Sequence, residues 1–364
     1  VWVMQGWMFG YQHDVWDYET LASLVSRVPD DKMLLLDLAA DYNKCFWHSE
    51  YNWEYYKGFF GKQWIYSVIP NMGGKTGMTG ILDFYANGRF AAMLSENKGN
   101  LAGFGFAPEG IENNEVIYEL LSDAGWTTAV IDLDKWLERY SVCRYGSAPK
   151  GIRDYWTEIR KGVYGSFTDH PRYMWQLRPG LAGKGSIKID EHLYQAIRSF
   201  SSAADELYDS PLFEIDLEEL TAQYLGARME EALQVEDADR FCELAIILDK
   251  VLASHPNLRL DKWVDYARSW GSTEELSDYY ERNAKRLITV WGPPVDDYSA
   301  RIWSGLVRDY YLPRWKNWFD HGADFDFTSW EENWIRTSNG VSQVEKYENP
   351  VKACVSIICS TPLL

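Results

Sequence analysis

Four short apolar runs recur along the first part of the chain: Trp2 to Met4, Met33 to Leu38, Trp64 to Ile69 and Leu101 to Phe106. Their starts lie 31, 31 and 37 residues apart, the length of a strand followed by a crossover helix. Between them the period lengthens. Leu21, Leu24, Val25 and Val28 mark one helix face before the second run, and a looser helical run from Met78 to Met93 precedes the fourth. Within each run apolar residues are consecutive rather than alternating, so the strands are expected to be buried on both faces, as in a parallel sheet. Four βα units within about 150 residues amount to half of a (β/α)8 barrel, whose usual size is about 250 residues.

From about residue 150 the helical period takes over. Phe241, Leu244, Ala245, Leu248 and Leu252 fall on one stripe, and Trp263, Tyr266, Ala267 and Trp270 repeat it. Ser272 with Glu275 reads as a capping box for the helix carrying Leu276, Tyr279 and Leu287. Glu218, Glu219, Glu230 and Glu231 read as a solvated helix face. Strand signals are nearly absent here. The expected fold class is therefore α/β followed by all-α: half of a TIM barrel over residues 1–150, an α-helical domain over 151–345, and a tail, 346–364, whose apolar run has no period that assigns it an element.

With 364 residues, 46% of them hydrophobic, the chain can bury a sizeable core in two domains. Its formal net charge of −18 disfavours nucleic acid and anionic membranes as partners, and no apolar run is long enough to span a bilayer. The five cysteines, Cys45, Cys143, Cys242, Cys354 and Cys359, are scattered and odd in number, and the histidines are dispersed. Neither a zinc site nor a disulfide framework is expected, nor any metal. Val1 to Trp7 already reads as a core strand, so the chain is expected to be the later part of something larger.

The chemistry-bearing signal is Phe106-Ala107-Pro108-Glu109-Gly110-Ile111. A buried strand ends there, and one carboxylate stands at its C-terminal mouth between two residues that restrict the backbone. The helix opening at Asn113-Asn114-Glu115 follows, along Val116, Leu120 and Leu121. In parallel βα folds that mouth is where chemistry is done. The other strands end in Gln5-Gly6-Trp7, Asp37-Leu38 and Asn71-Met72-Gly73-Gly74, so an acid, an amide, an aromatic and a glycine-rich turn converge on one rim. A small polar pocket with a stacking wall suits a sugar, although each of these residues alone could equally serve the core or a turn.

These segments, together with Asn114-Glu115-Val116-Ile117-Tyr118, Trp291-Gly292-Pro293 and Tyr310-Tyr311-Leu312-Pro313-Arg314-Trp315, resemble in order the α-N-acetylglucosaminidases of glycoside hydrolase family 89. The resemblance runs from residue 1 to about residue 345 and implies a (β/α)8 barrel followed by an all-α domain packed over its mouth. It implies retaining hydrolysis of terminal α-linked N-acetylglucosamine by two glutamates without a metal or organic cofactor, with Glu109 as the nucleophile, an α-GlcNAc-terminated glycan as partner and a secreted, periplasmic or lysosomal location. By the same resemblance Trp7, Leu38, Ile69, Met72, His170, Trp291 and Tyr298 line the sugar subsite.

Three departures accompany it. The Trp291 to Tyr298 segment is shorter than in the animal enzymes, the tail does not resemble the family's last helix, and the family's acid/base glutamate sits on a strand before Val1. Retention needs two carboxyl groups roughly 5 Å apart, and nothing marks Asp37, Glu50 or Glu54 as a replacement. The chain alone is thus expected to be inactive and, with two unpaired sheet edges, prone to aggregate. A non-catalytic sugar-binding module using Trp7, His170 and Trp291, and a structural helical interaction domain, remain as alternatives.

Overall fold

A computed structural model describes residues 1–75, 77–110, 114–180, 187–291, 297–337 and 345–360. The four apolar runs are strands: β1 (Trp2–Gln5), β2 (Met33–Asp37), β3 (Gln63–Val68) and, after the two-residue β4 (Gly80–Ile81), β5 (Asn100–Phe106). They form one parallel sheet in the order β1-β2-β3-β5. β4 pairs antiparallel with β6 (Gly165–Ser166), a clasp too short to leave a sequence pattern.

The two faces of this half-barrel differ. Register places Leu35 beside Trp64 and Tyr66 beside Phe104 on one face. That face packs in one core with the helices Tyr18–Ser26, Leu82–Leu94 and Glu115–Trp126, through Leu21, Val25, Leu82 and Leu120. The approach is close: a Cβ at Gly88 would meet the Tyr66 hydroxyl at 2.4 Å. The opposite face carries Val3, Leu34, Leu36 and Ile65 and ends on Gly103 and Gly105. Val3 is 53% exposed and the three larger aliphatics are half-buried. Burial on both faces, expected from the uninterrupted apolar runs, therefore holds for one face only, because four strands do not close a ring whose far side would cover the other.

In the second half the 24-residue helix Pro211–Gln234 is central. Ser210 caps it, its Oγ accepting from Phe213 N, and Pro211 occupies the first turn, where no N–H is needed. Helices Glu191–Ser201, Ala238–Leu252 and Pro350–Ser360 pack around it. Encirclement explains why Glu218 and Glu230, expected on a solvated face, are buried. Glu230 Oε2 accepts from Met174 N at 2.9 Å, a fixed role for a buried acceptor. The tail, which gave no period, forms the helix Pro350–Ser360 and turns Val351, Cys354 and Ile358 inward. Conversely, the stripe through Tyr266 and Trp270 faces outward, at 61% and 67% exposure. The cap of helix Glu274–Leu287 is Thr273 rather than Ser272, its Oγ1 accepting from Leu276 N at 3.2 Å.

Asp37, expected to open into the mouth, is fully buried on the helix-covered face in register with Tyr66. Its Oδ1 accepts from Asn52 Nδ2 at 3.0 Å, and its Oδ2 has no hydrogen-bond partner among the described residues. Burial, with Asp41 adding to it, pushes this carboxyl up to about 7. Since the folded value lies above the unfolded one, the associated stability is fully present below about pH 4 and is lost as the pH rises through 7. Asp37→Asn should remove on the order of 4 kcal/mol of that alkaline loss. Urea unfolding near pH 4 and near pH 8 measures it; an equal fall in parent and variant would contradict the assignment.

Arg314, on the helix Leu312–His321, is fully buried. Its Nη1 donates to Asp297 Oδ1 and Oδ2 at 3.0 and 3.1 Å and to Glu331 Oε1 at 3.1 Å, and its Nη2 donates to Gln176 O at 2.7 Å. Asp297 Oδ2 also accepts from Arg178 N at 2.8 Å. Arg314→Met leaves the buried Asp297 without its guanidinium partner and Glu331 with Arg178 alone, and should cost about 3–5 kcal/mol, read from the shift in urea midpoint. A loss below about 1 kcal/mol would show that the pair is dispensable.

Candidate active site

Beyond β5 the chain keeps following its neighbour: Ala107 N donates to Val68 O at 2.9 Å and Glu109 N to Asn71 O at 3.1 Å. The buried Asn71 ties the two loops together, its Nδ2 donating to Lys75 O at 2.9 Å and to Gly110 O at 3.3 Å. Glu109 is thereby held at the C-terminal rim of the sheet with its carboxylate exposed. Its Oε2 accepts from the Gly73 backbone N–H and, at 2.8 Å, from the Tyr298 hydroxyl. Among the described residues Oε1 accepts no hydrogen bond. Gly73 has φ +77°, and a Cβ there would lie 2.5 Å from Tyr298 O, so only glycine fits this turn.

Tyr298 arrives from the helical half, next to the clamped Asp297, and Ser299 Oγ donates to Gly73 O. Burial, and then the charge of Glu109, hold the Tyr298 phenol protonated well above its ordinary range, so it acts as a donor. His170 meets the Tyr298 ring edge-on at 5.5 Å, and Trp291 lies 5.6 Å from it on the other contact. His170 (φ 56°) and Trp291 (φ 46°) are both left-handed, a strain of order 1–3 kcal/mol each that the surrounding packing must hold. Trp291 remains 44% exposed.

Of the expected site residues, Glu109, Met72, His170, Trp291 and Tyr298 form one connected group. Trp7, Leu38 and Ile69 stand at the C-terminal ends of β1, β2 and β3, half-buried, without a hydrogen bond to that group; Trp7 Nε1 donates to Gln5 Oε1 at 3.2 Å. Lys75 was not anticipated. It is fully buried, and its Nζ donates to Met72 O at 2.9 Å, lies 3.1 Å from His170 Nδ1 and sits 4.7 Å from the Tyr298 ring centre. Its position directly after Gly73-Gly74 was the one available signal, since that turn must fold back on its own neighbour.

An exposed carboxylate with one oxygen held by two donors and the other unencumbered can act as a nucleophile, and the Tyr298 and Trp291 rings offer apolar faces for a sugar. For a cation the described residues offer a different group. Glu115, Asp216 and Glu219 bring carboxylate oxygens within 4.8 Å of one another between the two halves. There Arg144 already holds Asp216 at 2.7 and 2.6 Å, and His255 Nε2 lies 3.1 Å from Glu219, so the cluster reads as an interface. Among the described residues no helix is long and apolar enough to cross a membrane.

Comparison with known proteins agrees with this architecture. The family models of the α-N-acetylglucosaminidase (NAGLU) TIM-barrel domain and C-terminal domain match residues 1–128 and 136–357. The chain is 31% identical over 340 residues to the human α-N-acetylglucosaminidase, covering 87% of this chain and 44% of that protein. A family 89 glycoside hydrolase from Clostridium perfringens in complex with 2-acetamido-1,2-dideoxynojirimycin superposes with TM-score 0.84 at 26% identity, covering 99% of this chain and 44% of that one. The same enzyme with two glutamates replaced by glutamines, in complex with its substrate GlcNAc-α-1,4-galactose, gives 0.82 at 26% identity over the same shares. The chain thus spans under half the length of these relatives. On these matches it belongs to the α-N-acetylglucosaminidase family, glycoside hydrolase family 89.

Proposed function

We propose that this chain carries the nucleophile and most of the sugar subsite of a retaining exo-α-N-acetylglucosaminidase. The observation that carries the reading is Glu109, an exposed carboxylate whose Oε2 is held by donors from both halves of the chain. Its free oxygen attacks the anomeric carbon as the glycosidic C–O bond breaks, giving a covalent glycosyl-enzyme. The departing oxygen takes its proton from an acid/base glutamate in the part of the family fold that this chain does not span. That same residue, now a base, takes a proton from water, which attacks the anomeric carbon and frees Glu109. Two glutamates are consistent with the relative that holds its substrate when two glutamates are exchanged for glutamines.

Trp7, Leu38, Ile69, Met72, His170, Trp291 and Tyr298 surround the sugar in this reading, with Trp291 and Tyr298 giving the stacking faces. The substrate is an α-GlcNAc-terminated glycan, and the net charge of −18 favours a neutral one over a sulfated polymer. Family membership favours a secreted, periplasmic or lysosomal setting. The chain by itself binds sugar and does not turn it over.

Calorimetry of this chain with 2-acetamido-1,2-dideoxynojirimycin tests the reading. Binding is expected, weakened about tenfold or more in Glu109→Gln through loss of a charged partner. No binding, or equal binding by the variant, would reject the site. In a parallel assay an aryl α-GlcNAc should show no turnover above background; rates near those of a full-length relative would reject the division of labour.

A further inference from the structure

We infer that Lys75 is the positioning residue of this site, locking the Met72–Gly73 peptide plane so that its N–H faces Glu109. The inference builds on the proposed nucleophile and concerns what holds its donor in place. In a trans peptide the C=O and the N–H point in opposite directions from one rigid plane. Here the carbonyl of that plane, Met72 O, accepts from Lys75 Nζ at 2.9 Å, while its N–H, on Gly73, donates to Glu109 Oε2. The two contacts are therefore one rotational choice. Turning the plane over would aim the Met72 carbonyl at the carboxylate and take the acceptor away from the buried amine.

Such a rotation is otherwise easy at this point. Gly73, at φ +77° and ψ −1°, holds the third position of a type II turn closed by Gly74 N donating to Asn71 O, and such a turn interconverts with type I by flipping its central peptide. Glycine supplies the freedom, and Lys75 removes it. The fit is tight, since a Cβ on Gly73 would come within 2.0 Å of Lys75 Nζ. From the same point Nζ lies 3.1 Å from His170 Nδ1 and 4.7 Å from the centre of the Tyr298 ring, which itself donates to Glu109. One buried side chain thus braces a backbone donor, a hydroxyl donor and the pocket histidine. Because Lys75 is fully buried it touches no ligand, and its effect passes through these neighbours. Burial, and then Arg172, hold its amine well below the ordinary lysine range, while Glu109 and Asp169 oppose them. Charged or neutral, the amine keeps N–H bonds to donate to Met72 O.

The test uses the fact that Met72-Gly73 is the one Met-Gly pair in the sequence. Labelling Met carbonyl carbons with ¹³C and Gly nitrogens with ¹⁵N isolates the Gly73 amide resonance in the whole chain. It should lie downfield and move upfield in Glu109→Gln. In Lys75→Met that sensitivity to Glu109→Gln should vanish, and affinity for 2-acetamido-1,2-dideoxynojirimycin should fall about tenfold, with Lys75→Arg restoring part of both. A folded Lys75→Met with an unchanged Gly73 resonance, still responsive to Glu109→Gln, would overturn the inference. If Lys75→Met does not fold, through-hydrogen-bond coupling between Lys75 ¹⁵Nζ and the Met72 carbonyl carbon in the unaltered chain decides: its presence supports the lock and its absence overturns it. Should the iminosugar fail to bind while the amide responds as expected, the sugar reading falls and the lock stands.

Discussion

Arg314 is a charge with no solvent around it, and it is tolerable there because Asp297 and Glu331 lie within 3.1 Å. Much of the site depends on that compensation. Asp297 is held by Arg314 and by the backbone of Arg178, and its neighbour in the chain is Tyr298, whose hydroxyl reaches Glu109. The hydrogen bond at Glu109 thus extends an electrostatic clamp buried inside the helical half. Glu331 is drawn in by Arg178 as well, so two arginines and two acids fix four separate segments. Buried pairs of this kind contribute more to specifying a geometry than to net stability. The geometry specified is the reach of one phenol across the domain boundary.

From the sheet side the same carboxylate is addressed by backbone. Strand pairing carries past β5 into the Ala107 and Glu109 amides, and Asn71 stitches the loop to the turn that presents the Gly73 N–H. A backbone donor on a glycine turn brings no side-chain entropy to lose and is pre-aimed at the place where charge resides.

The strands could be read from the sequence because uninterrupted apolar runs at βα spacing have few other meanings, and Pro108-Glu109-Gly110 marked the rim acid for a local reason. What escaped is equally specific. Asp37 was placed at the mouth although its register partner, Tyr66, puts it on the covered face; strand side chains alternate, so one residue decides between mouth and core. Glu230 looked like surface because a buried acid that accepts from backbone N–H groups has the same composition as a solvated one. The helix Pro350–Ser360 hid its stripe among apolar residues on its other sides. Tyr298 lies 189 residues from Glu109, a pairing that no spacing rule reaches and that only family resemblance suggested. Lys75 carries no motif, and its role follows from the direction of a single carbonyl.

That the two donors to Glu109 belong to different halves of the chain has a thermodynamic corollary. Any ligand engaging this carboxylate binds the docked arrangement of Gly73 and Tyr298 and has less to hold when the halves separate. By mass action a ligand at a hundred times its dissociation constant adds at most about 2.7 kcal/mol to that docking, the full amount when the separated halves do not bind it. Ligand occupancy and interdomain cohesion are therefore linked quantities, and an engaged carboxylate adds to the cohesion that the shared core and the Arg144–Asp216 pair already supply.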